Sequence, residues 1–404
     1  MRIELHILQN FAPSNLNRDD TGSPKDAEFG GYRRARVSSQ CQKRAVREYF
    51  KAHADLIPAG NLGERTRRLV EEVAKQLAAG GKPTAEAELA ALAAVTAVLN
   101  KTDADKKKTP YLLFLGRQEI ENFTKLVLLH WEAFSAAVVP AVTPAVVAPK
   151  PAGRGKPKPA AGPKVPDGFA KAVEKLLDGG KAVDVSLFGR MLADLPENNV
   201  HAACQVAHAL GTNKLHSMEM DYYTAVDDLK PDDTAGADMI GTIEFNSSCY
   251  YRYANLDLAQ LAENLQHDAP LVRKGAAAFL EAFVHAVPTG KQNSFAAHSK
   301  PSLVMAVVRS GPPVSLANAF VRPVSVDKQK YDSLVENSVK AFDAFCGRMA
   351  TGYGYLDAAT DGTKAVAAFA FDGGLKELKA HEQTSVAGVL SAALAAAFPA
   401  EGAQ

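Results

Sequence analysis

The chain has 404 residues, 47% of them apolar, and sets 46 Lys and Arg against 45 Asp and Glu for a formal net charge of +1. That length and apolar fraction support two or three folded units with sizeable cores and exclude an intrinsically disordered chain. The balanced charge excludes a uniformly basic nucleic-acid binder, so any contact with a polyanion has to come from local patches.

Residues Arg2 to Leu8 alternate, with Ile3, Leu5 and Ile7 on one face and Glu4 and His6 on the other, which predicts a half-buried opening strand. Between Leu16 and Arg47 a Gly30-Gly31 loop with clustered arginines runs into a helix start. Six basic residues and no acidic one lie between Gly31 and Arg47. Backbone N–H groups, guanidinium forks and a helix N-terminus in one place are the chemistry of a phosphate-backbone clamp. Ser39 followed by Gln42 matches a capping box, and Cys41, Ala45, Tyr49 and Phe50 then recur at helical spacing opposite Lys43, Arg44 and Arg47.

From about residue 51 to 135 the sequence is rich in Ala, Leu and Glu. Thr66–Ala79, Thr84–Leu99 and Leu115–Phe134 have helical periodicity, which predicts a helical subdomain. Val138 to Pro166 is Pro/Ala/Gly/Lys-rich and predicts an extended mobile loop; Lys106, Lys107, Lys108 and this loop are candidate contacts to a second nucleic-acid strand. The longest apolar run, Ala133 to Ala148, carries Pro140 and Pro144 and is too short to span a bilayer, so no membrane association is expected.

Ala202–Leu210 fits either a strand or a helix face, and a strand is the preferred reading. Tyr222–Ala225 and Met239–Tyr253 flank a turn-rich stretch and predict a long β-hairpin. From Glu219 to Glu244 eight acidic residues face one lysine, so this arm would repel phosphates but complement a basic surface on another copy. Helices are expected at Leu256–Gln266, Leu271–Val287, Lys328–Met349 and Leu375–Phe398, with an apolar strand at Leu303–Val308. Strands separated by helices, with a large helical insertion, predict an α+β sheet of the split βαβ, ferredoxin-like kind.

Four scattered cysteines, no C-x-x-C pair and no leader peptide predict a reduced, cytoplasmic protein with no structural metal and no cofactor. The ten histidines have no metal-ligand spacing, and neither G-x-S-x-G nor a P-loop is present. No catalytic residue is expected on these grounds. Asp19, Asp20 and Asp26 are the one candidate set for metal-dependent phosphodiester cleavage, although turn formation or pairing with Arg18 explains them more simply.

The run from Asn17 to Arg44 closely resembles the N-terminal region of the backbone subunit of type I-E CRISPR Cascade, the CasC or Cas-seven family. Val185–Met191, His201–His208, Asp221–Leu229, Phe245–Asn255, Lys291–Ala297 and Leu316–Phe320 resemble further segments in the family's order. The resemblance implies an RRM-like palm with an inserted helical finger region and a hairpin thumb. On that plan 1–50, 183–213 and 249–404 build the palm, 51–182 the finger insertion with its loop at 138–166, and 214–248 the thumb. It also implies a non-enzymatic scaffold that polymerises head-to-tail along a CRISPR guide RNA, with other Cascade subunits and the target DNA strand as partners.

Carried over by position, Arg18, Lys25, Ser38, Gln40 and Lys43 would bind guide phosphates, with Arg33, Arg34, Arg36, Arg44 and Arg47 as neighbours. Arg190 and Met191 would sit against the guide near a kink, and Tyr222, Tyr223 and Thr224 would meet the displaced nucleotide. Two alternatives stay open: a metal-dependent endoribonuclease on a related scaffold, and a generic single-stranded RNA-binding module acting alone.

Overall fold

In the computed structural model the opening alternation becomes a 13-residue strand, β1 (Arg2–Ser14). The structure describes residues 1–99, 108–136, 165–215, 219–223, 241–326, 329 and 333–399. After β1 come β2 (Asp26–Phe29), β3 (Tyr32–Val37) and α1 (Ser39–Ala52). Then follow β4 (Gly63–Thr66), α2 (Leu69–Ala79), α3 (Thr84–Leu99), β5 (Leu113–Gly116), α4 (Arg117–Leu129), α5 (Trp131–Ala136), α6 (Phe169–Leu176) and α7 (Val183–Phe188). The chain continues through β6 (Cys204–Val206), β7 (Ala209–Gly211), β8 (Glu219–Tyr223), β9 (Gly241–Asp257), α8 (Leu258–Asn264), α9 (Ala269–His285) and α10 (Gln292–Phe295). It closes with β10 (Leu303–Arg309), α11 (Leu334–Tyr353), β11 (Thr363–Ala370) and α12 (Val386–Ala397). The class is α+β, as the order of elements predicts.

Two compact units result: residues 1–56, 203–259 and 269–404 form the first, and 57–202 with 260–268 the second. The first holds a sheet ordered β11-β10-β1-β9-β7-β3-β2, with β6 and β8 also paired to β9, antiparallel throughout. Strand β1 is buried on both faces, not one. Leu8 and the rings of Tyr251 and Tyr253 pack with Leu303, Met305 and Val307 of β10 and with Val339, Phe342 and Cys346 of α11. Glu4 and His6 are therefore interior: His6 Nδ1 meets the Tyr251 hydroxyl at 2.8 Å, and Glu4 lies 3.6 Å from the Arg309 guanidinium, which also pairs with Asp361. Burial lowers the His6 pKa, against the pull of Glu4.

The Gly-Arg stretch is a β-hairpin. Phe29 pairs with Tyr32, and Gly30 and Gly31 between them both have positive φ, +61° and +78°, as a type I′ turn demands. A Cβ on Gly30 would also lie 2.2 Å from the carbonyl oxygen of Val321, so this turn is packed against its own unit.

In the second unit β4 and β5 pair as a hairpin, and α2, α3, α4 and α6 enclose a core of Val73, Leu77, Ala90, Ala94, Phe123 and Phe169. The small alanines of α3 allow close helix approach. The start of α4 is fixed by Glu119, whose carboxylate accepts the Gly116 N–H at 2.6 Å and the Gly179 N–H at 2.7 Å. The loop expected at 138–166 lies outside the described residues except for its last two positions, as do Lys106 and Lys107.

Candidate nucleic-acid interface

Helix α1 begins one residue earlier than the capping-box spacing implies. Ser38 is the N-cap: its backbone is extended, its Oγ accepts the Cys41 N–H at 3.3 Å, and its own N–H donates to Asn17 Oδ1 at 2.8 Å. Ser38 is thereby buried as the joint between the 15–25 loop and the helix. The N–H groups of the first turn cannot be satisfied within the helix, and no acidic residue occupies that turn, so its positive end is left uncompensated there.

Along α1, Gln40, Lys43, Arg44, Arg47 and Lys51 recur at three- and four-residue spacing and so form one stripe. Gln40 and Arg44 are exposed, Lys43 is half-buried, and Arg47 is nearly covered. The opposite stripe, Gln42, Ala45, Val46 and Phe50, is buried.

Arg18 and Lys25 join this stripe through a folded loop. Asp19 Oδ1 accepts N–H bonds from Thr21 and Ser23 at 2.9 and 3.0 Å and the Thr21 hydroxyl at 2.7 Å, and those bonds hold its carboxyl below the usual range. The Lys25 N–H donates to Asn17 O at 2.8 Å, and the Arg36 N–H donates to Lys25 O at 2.9 Å. Burial raises the Cys41 thiol pKa, while the charges of Arg44, Lys25 and Arg18 all act to lower it. His208 is lowered by burial first and then by Arg36 and Lys25, and Arg36 Nη1 lies 3.0 Å from its Nδ1. Arg18, Lys25 and Arg44 thus lie within electrostatic reach of Cys41 in the first turn of α1, and Arg36 and Lys25 within reach of His208.

Other members of the expected set are placed elsewhere. Arg33 is exposed but ion-paired with Asp26. Arg34 is placed in an architectural setting: its side chain is fully buried, and Nη1 and Nη2 donate to the carbonyls of Gly211, Thr212, Phe320 and Val321 at 2.8–3.0 Å. Arg190, in the second unit, is likewise consumed: its guanidinium pairs with Glu119 at 2.6 Å, both side chains being at most 1% exposed. Met191 beside it is 78% exposed. Tyr222 and Tyr223 lie on β8, in register with Thr242 and Gly241, with Glu219, Met220 and Asp221 exposed on the same strand. Thr224 lies outside the described residues.

Two contributors were not singled out from sequence. His208 carries no motif, and only the pairing of β3 with β7 brings it to Arg36. Gly290 approaches the clamp loop so closely that a Cβ would meet Leu16 O at 2.3 Å, which seats the exposed Lys291 next to that loop. In the second unit an open cleft of about 670 Å³ is lined by Glu64, Arg65, Arg68, Glu71, Lys75 and Arg117, a mixture of signs that offers an anion no uniform field.

An antiparallel α+β sheet bearing a basic helix face defines the class of protein. The chain belongs to the CT1975-like protein family, which matches residues 3–387. A chain of a solved CRISPR RNA-guided surveillance complex, pre-nicking, is similar over 98% of this chain and 100% of its own, with 30% identity and a TM-score of 0.82. A chain of another CRISPR RNA-guided surveillance complex is 26% identical over the same shares, with a TM-score of 0.71. No match was found among curated proteins.

Proposed function

We propose that this chain is a non-catalytic, guide-RNA-binding backbone subunit of a type I-E Cascade-like surveillance complex. The first unit is its RRM-like palm. The observation that carries the reading is the basic stripe of α1, flanked by the exposed Arg18 and half-buried Lys25 and starting at a first turn with no acidic residue, in a chain matched over 98% of its length by a chain of a surveillance complex. Helix N–H groups and guanidinium forks fix phosphates without reading bases, so sequence choice is left to pairing between the guide and target DNA.

The arm around β8 has the opposite charge, with eight acidic residues and one lysine between Glu219 and Glu244. Its attraction to the basic stripe of another copy favours a head-to-tail contact that repeats along the RNA and does not close. Asp19 is engaged in its turn and Asp26 with Arg33, which favours binding without turnover. All four cysteines are free, and no helix among the described residues is long and apolar enough to cross a membrane; both facts accord with a cytoplasmic site of action.

The test is assembly with partner subunits on a cognate guide, followed by nuclease challenge and a salt titration. Protection at regular intervals, with a log–log salt slope of about −0.7 per phosphate bound, supports the reading. A guide left fully exposed refutes it. Metal-dependent cuts abolished by Asp26→Ala would establish an endoribonuclease instead.

A further inference from the structure

Between β10 and α11 the chain crosses the sheet of the first unit as a strap, residues 311–324, that is no strand itself. Side chains fasten its backbone in the order in which the strands lie. Arg309 of β10 donates to Pro312 O at 2.9 Å, and Glu4 of β1 accepts the Val314 N–H at 3.1 Å. Tyr251 of β9 accepts the Leu316 N–H at 3.0 Å, and Arg34 of β3 donates to Phe320 O and Val321 O at 2.8 and 3.0 Å. At the far end the Val324 N–H donates to Thr212 O at 2.9 Å. Leu316 and Phe320 sink into the core beside Tyr251 and Phe342.

Two of these fastenings meet at one titratable ring. His6 Nδ1 lies 2.8 Å from the Tyr251 hydroxyl that receives Leu316. Its Nε2 lies 3.5 Å from Oε2 of Glu4, whose Oε1 receives Val314, and neither Nε2 nor Oε2 has a hydrogen-bond partner among the described residues. Tyr251 and Tyr253 of β9 and Phe342 of α11 surround the ring. Arg309 repels a proton from it and Glu4 attracts one, while Asp361 pairs with Arg309, and Cys346 of α11 and Tyr355 act on one another and on that same group of charges.

With a neutral ring, Nδ1 accepts the Tyr251 hydrogen, and the phenol oxygen is left to receive Leu316. Burial pushes the Tyr251 phenol well above its ordinary value, so it keeps that hydrogen when the ring gains a proton. Nδ1–H and O–H then face each other as two donors, and Nε2–H draws the Glu4 carboxylate away from Val314.

We propose that the strap is a proton-sensitive latch: a proton added to His6 withdraws the Tyr251 and Glu4 fastenings together and frees residues 313–317. Arg34 does not titrate in this range and keeps Phe320 and Val321 in place. The freed stretch therefore ends at the basic turn, where Gly30 packs on Val321 O.

The experiment is amide hydrogen exchange on the full-length chain from about pH 7.5 to about pH 5, resolved to single residues and corrected for the intrinsic rate. Protection at Val314 and Leu316 should stay level down to pH about 6.5, where a released His6 begins to titrate, and fall below it by up to tenfold per pH unit. Val324 should stay level throughout. His6→Gln should abolish the pH dependence. Tyr251→Phe, which keeps the ring and removes only the hydroxyl, should leave Leu316 poorly protected even at pH 7.5. Level protection down to pH 5, a fall shared equally by Val324, a fall that persists in His6→Gln, or a Leu316 amide indifferent to Tyr251→Phe each overturns the proposal.

Discussion

Replacing Arg34 by methionine separates architecture from recognition in the basic hairpin. The substitution keeps most of the side-chain volume but withdraws the donors that serve four interior carbonyls, those of Gly211, Thr212, Phe320 and Val321. Charged hydrogen bonds of this kind contribute about 1.5–3 kcal/mol each, and a buried acceptor left unpaired costs about 1–3 kcal/mol. These terms are not additive around one guanidinium, so a total of about 4 kcal/mol is the working figure. At about 2–4 °C per kcal/mol for a unit of this size, the melting temperature should fall by about 8–16 °C. Differential scanning calorimetry on the purified chain measures that fall. A parallel salt titration of guide binding, performed well below the lowered transition, should return the wild-type slope. An unmoved melting temperature with a slope reduced by about 0.7 would place Arg34 on the RNA and refute the architectural reading.

Arg18→Ala combined with Arg44→Ala should reduce the salt slope by about 1.4, two phosphates' worth, while melting stays close to wild type because both side chains are exposed. Gly30→Ala should destabilise far more than Gly31→Ala in chemical denaturation: both positions have positive φ, but only the first would drive a Cβ into Val321 O. For His6, the folded pKa lies below the value of about 6.5 it takes in the unfolded chain, so protons bind the unfolded state preferentially as pH falls. Its contribution is therefore intact above pH about 6.5 and lost below it, at up to about 1.4 kcal/mol per pH unit; denaturant midpoints of wild type and His6→Gln, compared at pH 7.5 and 5.5, measure the difference.

Where local pattern and tertiary environment agree, the sequence was easily read. Helix α3 spans Thr84–Leu99, the predicted range, because alanine-rich periodicity and core position coincide. Strand β10 was visible as an unbroken apolar run. Strand β11 was missed, since its Ala-rich sequence has weak strand preference and only pairing with β10 decides its state. The helix expected from Leu375 starts at Val386, because the N–H groups of Lys376, Glu377 and Leu378 are all drawn to the Asp343 carboxylate.

At the candidate site the basic run announced itself, but the allocation of its members did not. Six cations between Arg33 and Arg47 carry no label distinguishing the one that faces carbonyls from those that face water. That distinction depends on residues 211, 212, 320 and 321, which the chain delivers from more than 170 positions away. Likewise, the partner that claims Arg190 lies 71 residues upstream.

Strand β9 has a mechanical consequence. It begins beside β8 at Gly241 and runs without a break to Asp257, where it is still paired with β1. Its ladder bonds to β1 lie across the strand direction, so a pull on the arm loads many rungs together in shear rather than peeling them singly. Strand β9 is thus a girder anchored in the sheet's centre, and tension applied at its β8-paired end would travel directly into the body that bears the basic face.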